Sequence, residues 1–239
     1  MNLFFSPAHE MNSRRPRRGV RLLLSIFVQE FFHLVTLNAL FVIFSLPVLT
    51  LPAAYAAMTR VTGYYAQELP CRQWKEFIRV FRSELLRALP VGLPLLLLPA
   101  ALCLIGVQYI PSIWSAGSYL IVSLTLAGAA LLLMMRYYFF PQLVWSQASI
   151  GQALKNSFLF AIVRLFPNLL LLLLHAVLAG IVVYYFPMSS PYLALCVFAS
   201  INLFSTFLAL SGMRRFMLES SSEGTPAEDE TTEADPATL

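Results

Sequence analysis

The run VGLPLLLLPAALCLIGVQYI, residues 91–110, holds twenty consecutive residues without a charge, and PNLLLLLLHAVLAGIVVYYF, residues 167–186, is a second such run. At 1.5 Å of rise per residue, ~20 apolar residues match a hydrocarbon core of about 30 Å. Strand crossings would alternate apolar and polar residues. These runs are continuous, so the crossings are helical. The whole chain agrees, with 59% hydrophobic and 12% charged residues, where soluble domains carry about a quarter charged. The expected fold is all-α, a polytopic membrane helix bundle.

The number of crossings turns on LNALFVIFSLPVLTLPAAYAAMTRVT, from Leu37 to Thr62, where Pro47 and Pro52 interrupt an apolar stretch. As a single crossing, this stretch would put the five arginines up to Arg21 on one side and the other eleven cations on the other. As a hairpin turning at Pro47 and Pro52, it leaves all 16 Lys and Arg at one end, with uncharged outer turns. The positive-inside rule selects the hairpin. Six crossings follow, with both termini cytoplasmic. The returning arm, residues 51–66, is about 24 Å long, shorter than the core. Its alanines at 53, 54, 56 and 57 suit close helix approach.

Residues 1–21 form a basic cytoplasmic leader and residues 22–215 the bundle. The basic leader precedes an apolar run too long for a signal-peptide core, so the first span is read as retained. Residues 70–87, PCRQWKEFIRVFRSELLR, read as an amphipathic interfacial helix. Trp74, Phe77, Ile78 and Phe81 recur at helical spacing with cations between them. Residues 216–239 carry seven of the twelve acids and no base, with no aromatic from Glu219 onward, a composition expected to be disordered. The body to Arg215 holds sixteen cations against five acids. In a membrane protein this charge reports orientation and anionic-lipid contact rather than nucleic acid. Cys71, Cys103 and Cys196 form no CxxC pair and read as free thiols.

Ionisable groups inside spans are candidates for function. Glu30, His33 and Asn38 fall on one side of the first helix. Arg164, Asn168 and His175 share a face of a later one, and Arg60 and Arg136 lie near the depth of Glu30. Two readings compete. In one, these eight residues form a polar pocket open to the cytoplasm. In the other, Glu30 is the counter-ion of one arginine, and the amides and histidines bond between helices. Glu30-x-x-His33 has di-metal spacing, but a single copy builds no such site, so no metal or cofactor is expected. The segment Arg136-Tyr137-Tyr138-Phe139-Phe140-Pro141 reads as an interfacial aromatic anchor. The chain has no phosphate-binding GxxxxGK[ST] loop, GxSxG elbow or HExxH, and no enzymatic activity is expected.

LVTLNALFVIFSLPVLTLPAAYAAMTRVT and RYYFFPQLVWSQASIGQALKNSFLFAIVRLFPNLLLLLL, with WKEFIRVFRSELLRAL between them, resemble the YesL family of small bacterial multi-spanning membrane proteins. The resemblance covers roughly Leu34 to Leu174. It implies a plasma-membrane protein acting as an accessory component of carbohydrate uptake, with ABC transporter membrane subunits as partners beside the lipid bilayer. The alternative expectation is a small transporter or channel with a polar intramembrane path.

Overall fold

A computed structural model describes residues 20–112, 115–146, 149–185 and 197–223. The described residues are helical, without strands. The helices are α1 (Val20–Gln29), α2 (Phe31–Ser45), α3 (Leu51–Ala66), α4 (Gln73–Glu84), α5 (Leu89–Tyr109), α6 (Ala116–Trp145), α7 (Ile150–Val163), α8 (Leu165–Tyr184) and α9 (Phe198–Glu223).

The proline hairpin is present. α2 ends at Ser45, and a short 3-10 turn, Val48–Thr50, follows. The Thr50 hydroxyl lies 2.6 Å from the Phe44 carbonyl and 2.7 Å from that of Pro47, tying the turn to the end of α2. Pro52 sits in the first turn of α3, where a missing N–H costs nothing.

α3 is the centre of the molecule. Thirteen of its sixteen residues are buried, and α2, α4, α5, α6 and α9 all pack on it. Its alanines 53, 54, 56 and 57 are fully covered inside the bundle. Gly92 of α5 meets the first turn of α3 so closely that an added Cβ would lie 2.9 Å from Pro52 Cβ. At its other end α3 closes in a Schellman turn. Leu69 N–H bonds Tyr64 O (3.0 Å), Glu68 N–H bonds Tyr65 O (3.0 Å), and Glu68 holds φ 54°. That turn sends the chain back along the bundle as α4.

The count of six crossings is not supported. Among the described residues, two helices, Leu89–Tyr109 and Ala116–Trp145, are long and apolar enough to cross a membrane. A third crossing exists if α7 and the first part of α8 are taken together, but they bend by 93°. The expected first span divides at Glu30 (φ −97°, ψ 14°) into α1 and α2, leaving fifteen residues in α2. The apolar stretch leading into the 167–186 run divides at Arg164 (φ −106°, ψ 40°), because Pro167 offers no N–H to the carbonyl of Val163. The start of the expected last span lies outside the described residues. α9 runs on to Glu223, beyond Arg215, where the sequence reading ends the bundle.

One further expectation changes. α6 continues nine residues past Arg136, and Tyr137, Tyr138, Phe139 and Phe140 are buried in the core instead of forming an interfacial anchor. Tyr55 of α3 packs on Phe140 with ring centroids 4.6 Å apart, and Phe160 of α7 stacks on Tyr138 at 5.3 Å. The aromatic run is apolar surface for α3 and α7, and helical spacing alone does not separate that role from a headgroup belt.

Candidate functional site: polar contacts between the helices

The eight polar residues predicted within the spans do not converge on one pocket. They divide into separate contacts, some of which satisfy backbone groups at helix ends.

Glu30 pairs with His33, one turn on, at 2.9 Å. Among the described residues it forms no ion pair with an arginine. The backbone carbonyl of His33 accepts from Gln73 Nε2 at 2.9 Å, which ties the first residue of α4 to α2. Among the described residues no group of three or more metal-binding side chains forms around this pair. Asn38 lies deeper, fully buried, and its Oδ1 accepts from Ala199 N–H at 2.8 Å. It thereby satisfies one of the free amides at the start of α9, a 161-residue separation closed by one side chain.

Arg60 is the most heavily engaged cation among the described residues. Its Nη1 donates to Val144 O (2.6 Å), its Nε to Glu76 Oε1 (3.3 Å), and its Cζ lies 4.1 Å from the centre of the Trp145 ring. One guanidinium thus joins α3 to α4 and to the last turn of α6. Arg79 contacts the same Glu76 oxygen from the outer side. An added Cβ on Gly63 would meet the Trp145 ring at 2.5 Å, at Nε1, so only glycine leaves room for the indole to lie over α3.

Arg136 and His175 are brought together. Both lie against Tyr137, with Arg136 Cζ 5.8 Å from the ring centre and the imidazole centroid 5.1 Å away. Arg136 also faces Tyr55 at 5.5 Å. His175 Nδ1 lies 2.7 Å from the Leu171 carbonyl of its own helix.

Arg164 and Asn168 stand at the break between α7 and α8. Asn168 Nδ2 donates to the carbonyls of Phe160 and Ala161 (both 3.2 Å), and its Oδ1 accepts from Tyr138 O–H (2.7 Å). A break inside an apolar run exposes the last carbonyls of the first helix. Here a side chain from the next helix takes them. Arg164 Nη1 donates to Leu208 O of α9 at 3.1 Å.

The sequence reading missed a polar ladder between α3 and α9. Thr62 Oγ1 lies 2.7 Å from Asn202 Oδ1, Asn202 Nδ2 donates to Thr59 Oγ1 (3.0 Å), and Thr206 Oγ1 lies 3.2 Å from Asn202 Oδ1. All four side chains are buried. Their spacing, three residues apart on α3 and four on α9, marks one face of each helix, a signal present in the sequence. Because Thr59 meets Asn202 and Thr62 meets Thr206, the two helices run parallel. The C-terminus of α9 therefore leaves on the same side as the α3–α4 turn.

α4 sorts its charges. Its acids Glu76 and Glu84 face inward, with side chains 15% and 9% exposed, while Arg72, Lys75, Arg79 and Arg82 are exposed. Burial raises the Glu84 carboxyl above its ordinary value, opposed by the Arg87 guanidinium at 3.2 Å. Of the predicted amphipathic surface, Phe77 and Phe81 pack on Phe44 of α2 at 5.6 and 4.9 Å. Trp74 remains 58% exposed, and Ile78 is half-buried.

Residues 34–106 match the family model described as "Protein of unknown function, DUF624". The DUF624 match runs from α2 into α5, so it contains the proline hairpin, the buried α3, the Schellman turn and the Arg60–Glu76 pair. Trp145, Asn168 and Asn202, which complete the contacts, lie beyond it. No curated protein and no solved structure matches the chain.

Proposed function

We propose that this protein is a non-enzymatic accessory component of a bacterial plasma-membrane complex, acting through contact and not through chemistry of its own. One observation supports this most directly. Four of the polar side chains that would mark a reaction centre or a path, Asn38, Arg60, Arg164 and Asn168, are engaged in joining helices, as Arg60 joins α3, α4 and α6. The match of residues 34–106 to the DUF624 model agrees with a YesL-like protein. Through that likeness, the complex is a carbohydrate-uptake ABC transporter. The charge distribution favours six passes, counting α1–α2 and α7–α8 as bent single passes, with both termini cytoplasmic. The buried alanines of α3 are unavailable to a partner, so contact falls to the outer faces of the other helices. Crosslinking in native membranes followed by purification should return transporter membrane subunits. Repeated recovery without any transporter subunit would remove the proposal.

The break between α7 and α8 supports a second reading, since discontinuous helices line substrate paths in transporters. Proteoliposome flux sensitive to Asn168→Leu and His175→Ala would favour this reading over the first.

A further inference from the structure

We infer that the outward stripe of α4 is a binding surface for the anionic headgroups of the bilayer in which the protein sits. The stripe is a shallow groove lined by Trp74, Lys75, Ile78, Arg79, Arg82 and Ser83. Three features select an anionic lipid surface over other occupants. First, α4 directs its two acids into the bundle and its cations outward, so the stripe is of one sign. Each such cation near an anionic leaflet adds attraction of its own. Second, an exposed Trp and a half-buried Ile lie within the same stripe. An indole has an apolar body and a polar edge suited to the headgroup depth. Third, the inner face of α4 is already held by Phe44, the His33 carbonyl and Arg60. The helix therefore cannot roll to bury Trp74 in its own bundle. The acidic stretch 219–239 of this chain is opposite to the cations in sign, but it holds no aromatic residue to complement Trp74 and Ile78.

The inference rests on the bilayer placement proposed above, and the test separates the two. In a chain whose native cysteines are replaced by serine, a nitroxide is placed at Ile78→Cys. In a second chain, only Cys103 is kept and labelled; it is exposed on α5. Each full-length protein is assembled in nanodiscs of phosphatidylcholine with increasing phosphatidylglycerol, and collisions with oxygen and with a water-soluble nickel chelate are measured. The Ile78 label is expected to lose nickel contact and gain oxygen contact as phosphatidylglycerol rises. Lys75→Gln and Arg82→Gln should each raise the phosphatidylglycerol content required by roughly fivefold. The Cys103 label should be oxygen-rich throughout. Identical behaviour of the Ile78 label in both lipids, with Cys103 in hydrocarbon, overturns the inference alone. Nickel contact at Cys103 overturns the bilayer placement and the inference with it. An Ile78 label immobilised without phosphatidylglycerol and freed by salt identifies the acidic segment as the occupant, and also overturns it.

Discussion

The guanidinium of Arg164 occupies the space that a side chain at Gly212 would fill. A Cβ built on Gly212 would lie 2.7 Å from Arg164 Cζ and 3.3 Å from Cδ. Glycine at this point of α9 is therefore a packing requirement imposed by a residue of the α7–α8 break. Gly212→Ala should displace Arg164 and break its bond to Leu208 O, lowering stability by about 1–3 kcal/mol. Thermal unfolding in detergent measures this. The same loss in an Arg164→Ala background, where the clash is gone, would show that the glycine matters for another reason.

Glu76 should be worth more than its place on a surface helix suggests. It faces Arg60 at 3.3 Å with both side chains mostly covered, so Glu76→Ala leaves a half-buried guanidinium without its carboxylate. A loss of about 1–3 kcal/mol is expected, together with faster proteolysis in the α3–α4 connection as α4 loosens. Arg60→Lys should not restore wild-type behaviour, because an ammonium cannot both stack on Trp145 and bond Val144 O.

At Glu68 the backbone turns through φ 54°, where non-glycine residues are disfavoured by about 1–2 kcal/mol. Glu68→Gly should relieve this, less the entropy glycine loses on folding, for a net gain of about 0.5–1 kcal/mol. A fall in melting temperature would mean that the Glu68 side chain makes a contribution the turn geometry does not reveal.

Cys71 lies in the α3–α4 connection, and its thiol is pushed up to about 11, first by burial and then by the Glu76 carboxylate, with Arg60 and Arg79 opposing. Raising a thiol pKa depletes the thiolate at pH 8, while the remaining thiolate is more nucleophilic. The net expectation is alkylation about tenfold slower than in the unfolded chain. The rate should keep climbing as pH rises through 9 toward 11. Glu76→Gln should shift that profile to lower pH. Alkylation that levels off below pH 9 would contradict the burial described for this thiol.

Asn168→Leu removes the donor to the Phe160 and Ala161 carbonyls and the acceptor for Tyr138 O–H. About 2–4 kcal/mol of destabilisation is expected from these buried groups. Asn168→Gln, one methylene longer, tests geometry against chemistry. Full recovery by glutamine would mean that the position of the amide is unimportant.

The helical class and the hairpin were legible because they depend on local quantities: apolar run length, proline position and the side on which cations lie. The number of crossings was not legible for an equally local reason. Glu30 and Pro167 sit inside runs whose average hydropathy hides a break. The role of the Arg136–Pro141 aromatics was misread because helical spacing is the same for a lipid belt and a core stripe. Only the partners Tyr55 and Phe160 decide between them. The polar residues were identified individually, but their pairings were not. Arg60 finds Glu76 across a turn whose direction depends on one left-handed residue, and Asn38 finds Ala199 across most of the chain.

The ladder between α3 and α9 sets the order in which the protein can be completed. Thr62 meets Asn202 across 140 residues, a stretch that takes a ribosome roughly 10–30 s to synthesise. Throughout that interval the most buried helix of the finished bundle lacks the partner for its threonines. The early hairpin must wait, shielded by the insertion machinery or by neighbouring helices, until the last one arrives. A nascent chain halted before α9 should therefore be a substrate for membrane quality control, although every element of the DUF624 match has already emerged.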